Sequence, residues 1–398
     1  MESLIGRTIA LLALAMLVAI VARRLRLPYT VGLVLSGLAL ALSRIDVGLQ
    51  LTHEVVFDLI LPPLLFEAAL NLPWKEIRRD GPPILALATV GVGLCAAVVA
   101  GGLVKLFGWP LQPAMAFGAL ISATDPIAVI ALLRERGVKG RLALLIESES
   151  LINDAAAALF FALVVAALTV ATPPTPLDVL TQFVIIAVGG VACGALVGLA
   201  AIFIVGRTDD HLVETALTAV AAYGSFLIAD HFGASGVLAC VTAGLIMGNL
   251  GELRHGRLAP SLSRRGRVFV LAFWEFAAFV ANSFVFLMIG GAMAQVHTRS
   301  AKALAIEIGL ALLGRAAAVY PVAFVFFRSR WKIPLPEQHF LWWAGLRGAL
   351  ALALALSLPA SAPYRDDILV AAFGVVAFST LVQGLTAGLA MRALGLQR

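Results

Sequence analysis

Apolar runs of about 20 residues recur along this chain, and each is long enough to cross the roughly 30 Å of a bilayer's hydrocarbon core. That recurrence decides the fold class. In lipid every backbone N–H and C=O must be satisfied internally, so only helices and closed barrels can span. A barrel would need alternating strands of about 10 residues, and the sequence carries none. The expectation is an all-α polytopic membrane protein. Composition agrees: 61% of residues are apolar and 13% charged, against about 25% charged in soluble domains.

The pattern predicts about thirteen spans, near 4–22, 28–43, 54–71, 82–107, 113–133, 142–170, 178–205, 211–232, 235–249, 268–293, 301–327, 338–358 and 367–391. The intervening loops are short, so no soluble regulatory domain is expected. Met1 leads into an apolar stretch without a small-residue cleavage motif, which predicts a retained helix. Lys and Arg alternate across these loops. Those after odd-numbered spans, with the C-terminus, hold 21 of the 29; the opposite side holds 6, and Arg315 and Arg347 lie within spans. The positive-inside rule then puts the N-terminus outside and the C-terminus in the cytoplasm. The net charge of +6 belongs to that asymmetry, and no nucleic-acid partner is expected. Cys95, Cys193 and Cys240 fall inside apolar runs, where cysteine acts as a small packing residue. The six histidines (His53, His211, His231, His255, His297 and His339) fall near span ends and read as interfacial.

An odd span count suggests two inverted six-helix repeats joined by a linker: 1–170, a linker helix at 178–205, and 211–398. Such transporters place their substrate site at the repeat interface, between interrupted helices at matching positions. The fifth span contains Ala-Thr-Asp-Pro at 123–126, where Pro126 removes a donor and disfavours helix at Asp125. The twelfth span, fifth of the second half, contains Ala-Gly-Leu-Arg-Gly at 344–348.

Carboxylates within spans are costly and mark function by default. Asp125 lies about 12 residues into its span, roughly 18 Å deep. Asp154 lies about as deep, counted from the other side. Together they form a candidate site for a hard cation, which takes oxygen ligands. Ser150 and Asp154 share one helical stripe; Glu149 and Asn153 share another, rotated by about 100°. Glu149 needs a buried partner: Arg315 is the better candidate and Arg347 the second. Plainer readings stand beside these. Asp125 could cap a half-helix, Asp154 could be a structural acid paired to arginine, Ser150 a packing residue, and Glu67 a charge at a helix end. Glu147 reads as a surface or funnel charge.

Six stretches carry a resemblance: Leu-Pro-Pro-Leu-Leu-Phe-Glu at 61–67, Ala-Thr-Asp-Pro at 123–126, Glu-Ser-Leu-Ile-Asn-Asp at 149–154, Asn-Ser-Phe-Val-Phe-Leu-Met-Ile-Gly at 282–290, Gly-Arg-Ala at 314–316 and Gly-Leu-Arg-Gly-Ala at 345–349. In this order the chain resembles the monovalent cation/proton antiporter family, in its electroneutral NhaP-like and NHE-like branch. The resemblance implies the sodium/proton antiporter fold with crossed discontinuous helices across the whole of 1–398. It implies a core domain of spans 4–6 and 11–13 beside a dimerisation domain, and a homodimer. It implies that Asp154 binds cation or proton, and that Asp125 and Thr124 contribute to the Na⁺ site. Ser150 and Glu67 become further ligands, and Glu149 with Arg315 a structural ion pair near Asn153.

The electrogenic branch has two acids where this chain has Asn153-Asp154, and a lysine where it has Arg315. One titrating acid suits exchange of one monovalent cation for one proton. The expected protein is thus a secondary transporter of the plasma membrane, serving pH and sodium homeostasis. It is not an enzyme and has no cofactor. The ions carried are Na⁺ or Li⁺ against H⁺, with K⁺/H⁺ exchange as the alternative. An intramembrane aspartyl protease is a distant alternative, since its Gly-x-Gly-Asp signature is missing from the sequence. A channel should show a filter motif, and a light-driven pump a mid-span lysine; neither is found.

Overall fold

Every one of the thirteen expected spans has a helical counterpart in the computed structural model, which describes residues 2–25, 28–43, 54–138, 140–168, 175–208, 210–253, 264–293 and 300–396. His53, His255 and His297 lie outside the described residues. The order is α1 (Glu2–Leu25), α2 (Tyr29–Leu42), then a π-helical turn (Val55–Ile60) running into α3 (Leu61–Asn71). Next, α4 (Trp74–Ala88) and α5 (Val90–Phe107) form one span kinked at Thr89, whose hydroxyl turns back to the Leu85 carbonyl at 2.7 Å. The fifth span is split into α6 (Leu111–Ser122) and α7 (Ile127–Glu135). There follow α8 (Arg141–Leu168), α9 (Pro176–Val205), α10 (His211–His231), α11 (Gly236–Leu253), α12 (Arg264–Met293) and α13 (Ala301–Val325). The twelfth span is split into α14 (Leu335–Trp343) and α15 (Ala349–Leu356). The last is α16 (Arg365–Phe378), a π-helical stretch (Ser379–Gln383) and α17 (Gly384–Ala393).

Among the described residues, 8 helices are long and apolar enough to cross a membrane on their own. The remaining spans fall short for local reasons. The apolar parts of α1, α2 and α11 are shorter. The third span changes from π to α geometry at Leu61, just before Pro62-Pro63, and the twelfth is interrupted at its glycines.

The chain forms two compact units that do not follow the repeat boundaries. The first comprises Met1–Val56, Asp80–Val170 and Asn282–Arg398; the second comprises Phe57–Arg79 and Ala171–Ala281. Each draws on both halves of the sequence. The first unit holds spans 4–6 and 11–13 and also α1 and α2. The reason is close packing of α2 on the end of α12: a Cβ on Gly290 would lie 2.0 Å from the Val34 carbonyl oxygen.

In the first unit α5 packs against both α6 and α13. Helices in lipid associate through close contact at small residues, and this packing depends on them. Gly118 of α6 abuts the Ala96 backbone, and Gly314 of α13 abuts Cys95 and Val99. In the second unit α9 packs on α11. Gly190, Gly194 and Gly198, one turn apart on α9, lie on the backbone of Ser235, Ala239 and Ala243. The rings of Phe66 and Trp274 pack at a tilt within this unit, centroids 4.7 Å apart.

Candidate functional site

The first unit brings the two interrupted spans together. α6 stops at Ser122 because Pro126 offers no N–H and keeps Asp125 out of helical geometry. α14 stops at Trp343, and Gly348 is extended at φ −132°, ψ −153° before α15 begins. The breaks are joined by a backbone hydrogen bond, Asp125 N–H to Leu346 C=O at 2.7 Å. The Asp125 Oδ1 accepts the Ile127 N–H at 3.0 Å, so one oxygen of this carboxylate caps α7. Its other oxygen faces Gly348, where a Cβ would come within 2.3 Å.

Arginines hold both sides of this crossing. Arg347 donates through Nη1 to the Ser122 and Ala123 carbonyls at 3.0 and 3.2 Å, which places a cation on the negative C-terminal end of α6. Its backbone N–H is held by Ser379 Oγ at 2.7 Å; Ser379 in turn donates to Gln383, and Gln383 donates to the Trp343 carbonyl. Arg315 of α13 forks onto Glu149 of α8, with Nη1–Oε1 at 2.7 Å and Nη2–Oε2 at 3.1 Å. Both residues are buried. Arg315 also reaches the Leu341 carbonyl at the end of α14. Bidentate geometry of this kind is the strong form of the interaction.

α8 presents two stripes to the break. On one, Asn153 donates to Glu149 Oε1 at 3.0 Å and comes within 3.5 Å of Thr124 Oγ1. On the other, the Ser150 hydroxyl donates to the Thr124 carbonyl oxygen and accepts from Thr124 Oγ1 at 3.1 Å. The Asp154 carboxylate lies near the Thr124 backbone and the charge of Asp125. Its Oδ1 is buried without a hydrogen-bond partner, and so is Asn153 Oδ1. Unpartnered buried acceptors cost free energy. The unpartnered oxygen of Asp154, with a second carboxylate near it, suits a hard monovalent cation. Thr124, Asp125, Ser150, Glu149, Arg315 and Gly345, among others, line a crevice too tight to hold a water molecule.

Eight of the nine residues singled out from the sequence therefore fall in one neighbourhood of one unit: Thr124, Asp125, Glu149, Ser150, Asn153, Asp154, Arg315 and Arg347. Glu67 lies in the second unit on α3, where Asn71 Nδ2 donates to it at 2.8 Å. Glu147 lies 3.6 Å from Arg134. Sequence reasoning missed Cys95, whose Sγ is 3.8 Å from Arg347 Nη2, and the brace of Ser379 and Gln383. Two polar residues one turn apart in an apolar final span were the available signal for that brace. It also missed Asp80 and Arg141, whose pairing is visible only in three dimensions.

A family model described as "Sodium/hydrogen exchanger, transmembrane" matches residues 10–393. The Na(+)/H(+) antiporter ApNhaP of Aphanothece halophytica is 40% identical over 377 residues, covering 93% of this chain and 70% of that protein. The Na(+)/H(+) antiporter NhaP of Pseudomonas aeruginosa is 36% identical over 396 residues, covering 92% and 91%. Among solved structures, the sodium proton antiporter MjNhaP1 from Methanocaldococcus jannaschii superposes with a TM-score of 0.78 at 20% identity, covering 98% of this chain and 99% of that one.

Proposed function

Because this chain belongs to the sodium/hydrogen exchanger family, we propose that it is a secondary transporter exchanging one Na⁺ for one H⁺ by alternating access. The observation that carries this reading is the buried Asp154 Oδ1, left without a hydrogen-bond partner near Asp125 at the crossed breaks. Asp154 takes Na⁺ or H⁺ in competition, and Asp125 supplies the second charge. Thr124 and Ser150, bonded to each other, set the wall of the site.

Charge counting supports an electroneutral cycle. The cluster holds three carboxylates (Asp125, Glu149, Asp154) and two guanidinium groups (Arg315, Arg347), leaving one negative charge. One bound Na⁺ or one bound H⁺ neutralises it. An uncompensated charge is expensive to carry through a low-dielectric barrier, so the loaded cluster crosses and the bare one stays. Coupling then needs no further gate. Glu149 takes no part in binding, since Arg315 occupies both its oxygens. Glu67 accepts from Asn71 one turn along its own helix and is given no part in this assignment.

The proposed setting is the cell's inner membrane, N-terminus outside and C-terminus cytoplasmic, as the 21-to-6 distribution of Lys and Arg supports. The role there is pH and sodium homeostasis. The proposed assembly is a homodimer, which crosslinking in native membranes would test by the presence or absence of a two-chain band. The decisive transport measurement uses purified protein in liposomes holding a pH dye, with Na⁺, Li⁺ or K⁺ added in turn. Proton movement on Na⁺ addition is expected; a response to K⁺ alone would overturn the choice of ion.

A further inference from the structure

We propose that the turn between α13 and α14, residues 326–332, binds the headgroups of anionic phospholipids and passes their occupancy to the ion-carrying helix α8. The sequence of the turn is Phe-Phe-Arg-Ser-Arg-Trp-Lys. Arg328, Arg330 and Lys332 are all exposed. Arg330 lies over the Trp331 ring at 4.5 Å, and Lys332 over the Phe327 ring at 4.8 Å. Over 320–340 the sequence offers one carboxylate, Glu337, so the three cations are not balanced locally.

The flanks place this turn at the membrane surface. Phe324 and Val325, at the end of α13, are 77% and 76% exposed, and Leu335, opening α14, is 58% exposed. Those apolar groups require lipid around them. The cations that follow within one turn must then sit at headgroup depth, with Trp331 and Phe327 in the interfacial position that aromatics favour. The turn itself is built. Ser329 Oγ donates to the Phe326 carbonyl and accepts the Trp331 N–H, and Ile333 is fully buried beneath it. Headgroups of the cytoplasmic leaflet are the anionic partner that such a turn meets at this depth.

The link to the ion site is a single arginine. Arg141, the first residue of α8, donates through Nη1 to the Lys332 carbonyl at 2.7 Å and through Nη2 to the Trp331 carbonyl at 2.9 Å. Its Nε holds buried Asp80 of α4 at 2.8 Å. So the two carbonyls that Arg141 grips belong to two residues of the headgroup turn. Asp154 lies thirteen residues further along the same continuous helix, about 20 Å at 1.5 Å per residue. Fixing the turn fixes the entry of α8, and with it the axial position of Glu149, Ser150 and Asp154.

The coupling half of this inference rests on the exchange reading above; the binding half does not. Two measurements separate them. Native mass spectrometry of the full chain with phosphatidylglycerol and phosphatidylcholine reads binding. Wild type should retain phosphatidylglycerol preferentially, and the triple variant R328Q/R330Q/K332Q should lose affinity on the order of 100-fold, at about fivefold per cation near an anionic surface. An Arg392→Gln control should retain it. Exchange in liposomes reads coupling. Wild type should run roughly fivefold faster with phosphatidylglycerol than with phosphatidylcholine alone, the lower end of ordinary site-to-site coupling. The triple variant should run at one rate in both. Arg141→Lys, which keeps a cation for Asp80 but loses the fork, should still bind phosphatidylglycerol while its rate no longer responds. Equal lipid retention by wild type and triple variant would overturn the binding site. Undiminished lipid response in Arg141→Lys would overturn the coupling. Wild type that binds the lipid yet moves no protons in either liposome would overturn the exchange reading alone.

Discussion

The backbone N–H of Asp125 donates to the carbonyl of Leu346 at 2.7 Å. The two residues are far apart in the chain, and each stands in a four- or five-residue break of a membrane helix. Without this bond, each would leave backbone groups to satisfy in a low-dielectric interior. With it, the broken segments cross at a fixed point, and the Asp125 carboxylate is delivered against Gly348.

That contact makes Gly348 sensitive to one methyl group. A Cβ there would stand 2.3 Å from the Cβ and Oδ2 of Asp125, a separation real atoms do not adopt. Gly348→Ala should displace the carboxylate and raise the apparent KM for Na⁺ by about tenfold, a cost near 1.4 kcal/mol. Gly309→Ala, where nothing lies within 4 Å, should leave the KM unchanged. Dye-based exchange assays over a range of Na⁺ concentrations check both.

Asp154→Asn removes the charge while keeping the side chain's size. Exchange should fall to the background of empty liposomes, with the thermal unfolding midpoint close to wild type. Exchange at near wild-type rate would sink Asp154 as the competing carboxylate.

The Glu149–Arg315 fork is buried on both sides, and removing one partner leaves an uncompensated charge. Arg315→Met should destabilise the protein by about 3–5 kcal/mol. The double variant Glu149→Gln with Arg315→Met should recover a large part of that loss. Thermal unfolding in detergent of the two single variants and the double would measure it; a double variant no better than the single would show the pair to be indifferent to charge.

Competition sets the sign of the pH dependence. At pH values where protons fill the site, each unit of acidification should raise the apparent KM for Na⁺ about tenfold, since one proton excludes one ion. Raising the pH should lower the KM until proton supply limits turnover. With one net charge neutralised by either ion, an imposed membrane potential should leave the rate unchanged. A rate that follows the potential, set with valinomycin and a K⁺ gradient, would rule out one-for-one exchange.

Much of this fold is visible in the one-dimensional pattern, because lipid enforces a simple rule. A span must be apolar, helical and about 20 residues long, so each of the thirteen runs has a helical counterpart, whole or interrupted, among the described residues. The breaks were legible too, since Pro126 and the Gly345 and Gly348 pair act on their own backbone. So was the division of α8 into two stripes, because i, i+4 spacing fixes which residues share a face.

Partner choice was not legible in this way. The sequence left Glu149 with two candidate arginines. The structure gave it Arg315 and sent Arg347 to the carbonyl end of α6, a choice set by which helix lies beside which. Asp125 read as ligand or cap; in three dimensions one oxygen caps α7 and the other faces the crossing. Nothing in the sequence joined Asp80 to Arg141, or the Ser379–Gln383 pair to the backbone of Arg347 and Trp343. Local rules of helix, break and face act within a few residues and so can be read along the chain. Ion pairing between helices depends on distances across the packed unit, and only the tertiary structure fixes those.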